Sequence, residues 1–185
     1  MNEKVRLGAI LFVITAVTGL VLGGVQQITA GPISKTKEAQ RQEAFRRTLP
    51  EADSFVPAKA PSIQGVVDVQ EARKGGSPVG YAITVSVKGY AGPVVFVTGV
   101  SSGGVVKGIS ILSQSETPGL GAKAGDPSFA GQFAGRKAQE FKVVKSTPSK
   151  DDEILAISGA TITSRAVTEG VNLAIKAFQQ MGGAK

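Results

Sequence analysis

Residues 79–112 read VGYAITVSVKGYAGPVVFVTGVSSGGVVKGISIL, and the reading of this stretch decides the fold. From Val79 to Val87 the odd positions Val79, Tyr81, Ile83, Val85 and Val87 are apolar, while Gly80, Ala82, Thr84 and Ser86 between them are small or polar. A period of two marks a strand with one buried face. Gly89-Tyr90-Ala91-Gly92-Pro93 breaks the pattern, and Val94 to Val100 reads as a second strand. A Ser101-Ser102-Gly103-Gly104 turn then leads to a third, Val105 to Leu112. The three runs predict an antiparallel meander.

Downstream, Gly131 to Ala138 reads as loop or short helix, and a short strand is expected at Phe141 to Val144, with Pro148 soon after. The clearest helix lies between Ser164 and a Gly182-Gly183 stop, where Val167, Val171, Ala174, Ile175 and Phe178 recur at helical spacing. Its apolar stripe needs a sheet to cover. A sheet with segregated helices is an α+β architecture, here an antiparallel or mixed sheet packed by helices.

Upstream, Ser34 to Leu49 is charged, with Ala39, Phe45 and Leu49 as sparse apolar positions, and reads as an exposed helix that Pro50, Pro57 and Pro61 terminate. Before it, Leu7 to Val25 is an uncharged, mostly apolar run about as long as a bilayer core requires. Lys4 and Arg6 precede that run, which favours a cytoplasmic N-terminus and an extracytoplasmic body; Lys35, Lys37 and Arg41 weaken the bias. The alternative is a cleaved signal peptide, but the run exceeds a typical signal core. The nearby small-residue site, Ile28-Thr29-Ala30, also has a bulky Ile where a small residue is expected. Thr15, Gly19 and Gly23 share one face of the anchor, where another helix could approach. The chain therefore divides into a cytoplasmic tip and anchor (1–30), a membrane-proximal helix and linker (31–62), and one domain (63–185).

Composition narrows the chemistry. Cysteine and histidine are both absent from the 185 residues, which removes disulfides, thiolate-held clusters, the usual zinc sites, Cys nucleophiles and His-based triads. Redox chemistry would belong to an organic cofactor. The formal charge of +7 is spread along the chain, so a solvated basic surface is a better reading than a nucleic-acid site.

Two polar, glycine-bearing segments sit where strands end and a helix begins, the places where a fold offers backbone to a ligand. In Ser158-Gly159-Ala160-Thr161-Ile162-Thr163-Ser164, small residues leave the backbone open before the Thr161 hydroxyl near a helix N-terminus. A phosphate there would meet unpaired N–H groups and the positive end of the helix dipole. Alternatively, Thr163 or Ser164 simply caps the helix. In Glu116-Thr117-Pro118-Gly119-Leu120-Gly121, Pro118-Gly119 suggests a type II turn with positive φ at Gly119, and Gly121 allows a second close approach to a ligand. A plain surface turn explains this segment equally well.

SGATITS, preceded some forty residues earlier by ETPGLGAK, resembles the FMN-binding domain of the G subunits of Rnf electron-transport complexes. The C subunits of sodium-translocating NADH:quinone oxidoreductases are similar in the same segments. The likeness extends to the single N-terminal transmembrane helix and to the glycine-tyrosine turn before a glycine-proline pair, Gly89 to Pro93. It implies FMN joined through its 5′ phosphate to the threonine that ends SGAT, here Thr161, by a flavin transferase that uses FAD. It also implies partners in a multi-subunit membrane complex that couples electron flow between ferredoxin and NAD to sodium or proton movement. Ser158, Gly159, Ala160, Thr163 and Ser164 would surround the attachment point. Glu116, Thr117, Gly119 and Leu120 would line the flavin ring, with Leu120 against an apolar face; an exposed loop carboxylate is the other reading of Glu116. One departure stands out: where family members commonly carry an acidic residue six positions before the acceptor, this chain has Leu155, with Asp151, Asp152 and Glu153 slightly upstream. The short chain favours the Rnf-type subunit over the longer quinone-reductase one. The rival readings are a membrane-tethered module that binds flavin or nucleotide non-covalently, and a structural subunit in which SGATITS is only a cap.

Overall fold

The structure, a computed structural model, describes residues 2–182. Two compact units result, one ending at Gln40 and the other beginning at Arg41. The first unit is part of a single helix, α1 (Glu3–Thr48), which contains Pro32 and is exposed along its apolar length. The segments read separately as Leu7–Val25 and Ser34–Leu49 thus fall in one helix that ends at Thr48, with Pro32 between them. Thr15 and Thr18 donate to the carbonyls of Leu11 (3.0 Å) and Ile14 (2.8 Å), so these hydroxyls are satisfied within the helix.

The second unit is built on a five-stranded antiparallel sheet in sequential order: β1 (Ser54–Pro57), β2 (Val66–Lys74), β3 (Ser77–Lys88), β4 (Pro93–Ser101) and β5 (Val106–Ser113). The meander expected from 79–112 is β3 to β5, and β1 and β2 extend it. Tyr81 pairs with Val100, Ile83 with Thr98, Val85 with Phe96 and Val87 with Val94. This face packs against Val167, Val171, Ala174 and Phe178 of α3 (Thr161–Gln180).

The opposite face is also covered at its centre. Ala72, Ala82 and Val97 pack with Ala44, Phe45 and Leu49, and Thr84 is buried as well. β3 is therefore not the half-buried strand its alternation suggests, and the 41–49 stretch is not an exposed helix. The end of α1 lies so close to the sheet that a Cβ at Gly99 would sit 2.7 Å from the Thr48 carbonyl oxygen.

Between β5 and α3 the chain forms two 3-10 turns and a four-residue helix, α2 (Pro127–Ala130), then a two-stranded parallel sheet of β6 (Lys142–Val144) and β7 (Glu153–Leu155). Phe129, Phe133 and Phe141 stack edge-on in series beneath this excursion. Asn172 fastens it to α3, accepting from the Phe141 N–H (2.9 Å) and donating to its carbonyl (3.0 Å). α3 starts at Thr161, one turn before the expected Ser164. Its last residue is Gln180, and Gly182 takes φ of 84°; Gly183, the other half of the expected stop, lies outside the described residues.

Candidate cofactor-binding site

The start of α3 opens into a cleft of about 530 Å³ lined by Glu116, Thr117, Leu120 and Gly121 on one side, residues 159–163 on another, and Tyr90 at the rim. The sequence brings these together for local reasons. Gly119 has φ of 77°, and the Leu120 N–H donates to the Thr117 carbonyl at 3.1 Å, which is the type II turn expected from Pro118-Gly119. Gly159 has φ of 75°, a conformation open to glycine at little cost, and Leu120 closes on it, its Cδ2 lying 2.9 Å from where a Cβ would stand.

Thr161 occupies the first position of α3, half-buried, with Ala160 as the N-cap. No side chain caps this end among the described residues. The capping role considered for Thr163 and Ser164 is therefore corrected. Ser164 turns inward, accepting from the Ile157 N–H (2.9 Å) and donating to the Ala160 carbonyl (2.9 Å). Thr163 is buried and donates to Glu116 Oε2. An uncapped twenty-residue helix directs its first N–H groups and its dipole into the cleft, an arrangement suited to a phosphate.

Glu116 is not an exposed loop carboxylate; it is 5 % exposed. Besides the Thr163 hydroxyl, it accepts from the Ala91 N–H at 3.0 Å through Oε1. Gly121 serves this carboxylate: a Cβ there would fall 2.6 Å from Glu116 Oε2 and 2.7 Å from Thr163 Oγ1. Ser158, Gly119 and Ser164 line no part of the cleft. Tyr90 and Ile162, which do, are not among the expected site residues; the sequence marks Tyr90 only as part of the glycine-tyrosine turn and Ile162 only as a member of SGATITS. Leu155 is on β7, its N–H and carbonyl both bonded to the Gln132 side chain (2.7 and 3.2 Å).

The sheet, the helix seated on it and the cleft at the uncapped start of that helix define a ligand-binding domain. The family model described as "FMN-binding domain" matches residues 89–176. The fold is similar to that of the C subunit of the sodium-translocating NADH-quinone reductase of Parabacteroides distasonis, with TM-score 0.64 and 21% identity over 83% of this chain and 96% of that one. Over 95% of its length the chain is 41% identical to 92% of the G subunit of the Na(+)-translocating ferredoxin:NAD(+) oxidoreductase complex of Acetobacterium woodii. The proton-translocating counterpart from Clostridium ljungdahlii is 38% identical, covering 91% of this chain and 88% of the relative. The chain belongs to the family of G subunits of ion-translocating oxidoreductase complexes.

Proposed function

We propose that this protein relays electrons within a membrane complex of the ferredoxin:NAD oxidoreductase type through an FMN held covalently on Thr161. The observation that carries this reading is the position of Thr161, a hydroxyl at the first residue of an uncapped twenty-residue helix, facing a cleft of ligand size. The residues present fit the group. Open N–H groups of the first helical turn suit the phosphate, and the glycine at 159 keeps the approach to the hydroxyl free of a side chain. Leu120, Ile162 and Tyr90 offer apolar surface to a planar ring.

In the attachment step, the Thr161 oxygen bonds to the flavin-side phosphorus of FAD, the pyrophosphate bond breaks, AMP leaves and the hydroxyl proton is lost to solvent. A flavin transferase supplies this chemistry, and this chain presents the acceptor. Asp151, exposed just upstream of β7, offers a carboxylate where Leu155 replaces the acidic residue of the family pattern. Once attached, FMN supplies the electron chemistry, while the protein orients it and limits its access to water. Covalent linkage also prevents loss of the cofactor outside the cytoplasm, where free FMN is scarce.

The apolar part of α1 spans the bilayer in this reading, with Lys4 and Arg6 cytoplasmic and the domain on the other side. A bound flavin cannot diffuse, so its donor and acceptor are centres on neighbouring subunits.

Peptide mapping of the chain from its native membrane tests the proposal. The peptide spanning 158–165 is expected to carry the mass of FMN less water at Thr161, and Thr161→Ala to abolish it in a folded protein. An unmodified Thr161 in cells with an active transferase overturns covalent attachment and leaves non-covalent binding as the alternative.

A further inference from the structure

The buried carboxylate of Glu116 is occupied by protein groups on both oxygens. Oε1 accepts from the Ala91 N–H, in the turn between β3 and β4, and Oε2 accepts from Thr163 in the first turn of α3. Its own N–H donates to Gln114 Oε1 at 2.6 Å. Two glycines make room for it: a Cβ at Gly89 would lie 2.5 Å from Oε1, and one at Gly121 would lie 2.6 Å from Oε2. A carboxyl group so enclosed joins the turn holding Tyr90 to the helix that begins with Thr161.

Tyr90 itself is 69% exposed on the cleft rim. Leu120 and Ile162, also exposed, line the same cleft, whereas Val56, Val67 and Leu155, the other exposed large apolar residues described beyond Gln40, do not. Concentrated apolar exposure around one opening marks where a planar apolar group is received.

We propose that Glu116 is a positioning residue, clamping the 89–92 turn to the first turn of α3 so that Tyr90 forms an aromatic wall for the isoalloxazine ring. This rests on the FMN reading and deepens it. Glu116 acts through Ala91 and Thr163, not on the flavin. Tyr90 makes the ring contact, offset-stacked or edge-on as aromatic groups prefer.

The test uses the full-length chain, produced with its transferase and purified in detergent, as wild type, Thr163→Val, Thr163→Ser, Glu116→Ala, Glu116→Gln, Tyr90→Leu and the Glu116→Ala/Tyr90→Leu double variant. Hydrogen exchange over residues 89–95 reads the clamp. Glu116→Ala removes the acceptor of the Ala91 N–H and is expected to speed Ala91 exchange about tenfold or more, the size of a lost hydrogen bond, and Thr163→Val, which frees the carboxyl group from α3 but leaves that acceptor in place, to speed it by a smaller factor. Thr163→Ser and Glu116→Gln, which keep both contacts, are expected to restore protection. Flavin fluorescence reads the ring contact, because a tyrosine against the ring quenches it. Emission is expected to rise in Tyr90→Leu and equally in Glu116→Ala, with no further rise in the double variant. A structural role alone would lower stability and leave emission unchanged.

Unchanged Ala91 exchange in both Thr163→Val and Glu116→Ala overturns the clamp, and unchanged emission in Tyr90→Leu overturns the wall. Should Glu116→Ala fail to fold, Thr163→Val decides both measurements. If wild type carries no flavin, the function proposed above fails, while hydrogen exchange still decides the clamp.

Discussion

Helix propensity and packing give opposite signs for Gly170→Ala, in the middle of α3. An alanine there raises helix propensity by about 1 kcal/mol. Its Cβ, however, would lie 2.6 Å from Phe96 Cζ, 2.9 Å from Phe96 Cε1 and 3.0 Å from Val87 Cγ1. Phe96 is fully buried and its ring is rigid, so it cannot swing away; either β4 or α3 must move by the better part of an ångström. Overpacking of this kind costs about 1–3 kcal/mol, and with two atoms of one buried ring in the way the upper part of that range applies. The net expectation is a loss of about 1–2 kcal/mol, or a midpoint lower by roughly 2–8 °C for a domain of this size. Thermal melts of the chain made without transferase, followed by tyrosine emission, measure it cleanly. The chain has two tyrosines and no tryptophan, and both, Tyr81 and Tyr90, belong to the unit that contains α3. A midpoint equal to or above wild type refutes the seating of α3 on Phe96.

Phe45→Ala is expected to cost about 3–5 kcal/mol in urea denaturation, because Phe45 is fully buried with Leu49, Ala82 and Val97; a loss under about 1 kcal/mol would mean that the end of α1 does not pack on the sheet. Gly159→Ala forces a side chain into positive φ beneath Leu120, so stability should fall by about 1–2 kcal/mol and flavin incorporation, measured by mass spectrometry, should drop. Undiminished incorporation would show that the approach to Thr161 tolerates a methyl group. The Glu153 carboxyl is held below its ordinary 4.5, chiefly by the Ser149 N–H, which donates to it at 2.7 Å. A depressed folded-state value means that its stabilisation is complete above pH 4.5 and fades as pH falls through the folded value. The stability gap between wild type and Glu153→Gln should therefore close on acidification across that window, and a constant gap would rule the contact out as its source.

The meander from 79 to 112 is legible in the sequence because its strands alternate cleanly and its turns are marked by glycine. β2 is not, for a physical reason. Its nine residues include Asp68, Glu71, Arg73 and Lys74, and register shifts at Val66/Asp68 and Ala72/Arg73 break the period of two. β1 is four residues long and ends in Pro57, which reads as a helix stop. Tertiary cover also hides from local patterns: Ala82 looks like part of a solvated face until the end of α1 is placed on it, and Thr84 beside it is buried too. At the site, the glycines and hydroxyls are visible but their assignments depend on neighbours remote in sequence. Gly121 invites a ligand when read alone, yet the atoms that would meet its Cβ belong to Glu116 and Thr163. Tyr90 is visible only as part of a glycine-tyrosine turn and not as a site residue, because only the fold brings 90 beside 161.

The cleft is thus fixed unequally on its two sides. Thr161 is carried by a long helix that is seated at Gly170 against Phe96, fastened at Asn172 to Phe141 and tied at Thr163 to Glu116. Each contact uses a different partner element, so the acceptor hydroxyl is over-determined. Tyr90 and Leu120, by contrast, sit on turns, and among the hydrogen bonds described the side-chain link from the 89–92 turn to the rest of the site is the Ala91 bond to Glu116. A relay benefits from this division. The attachment atom must stay fixed for the transferase and for the distance to neighbouring centres, whereas the walls must part to admit a ring during attachment. Elements with few buried contacts open at low free energy and long packed helices do not. The loosened state expected in Thr163→Val should accordingly raise the emission of each bound flavin, measured per mole of flavin carried.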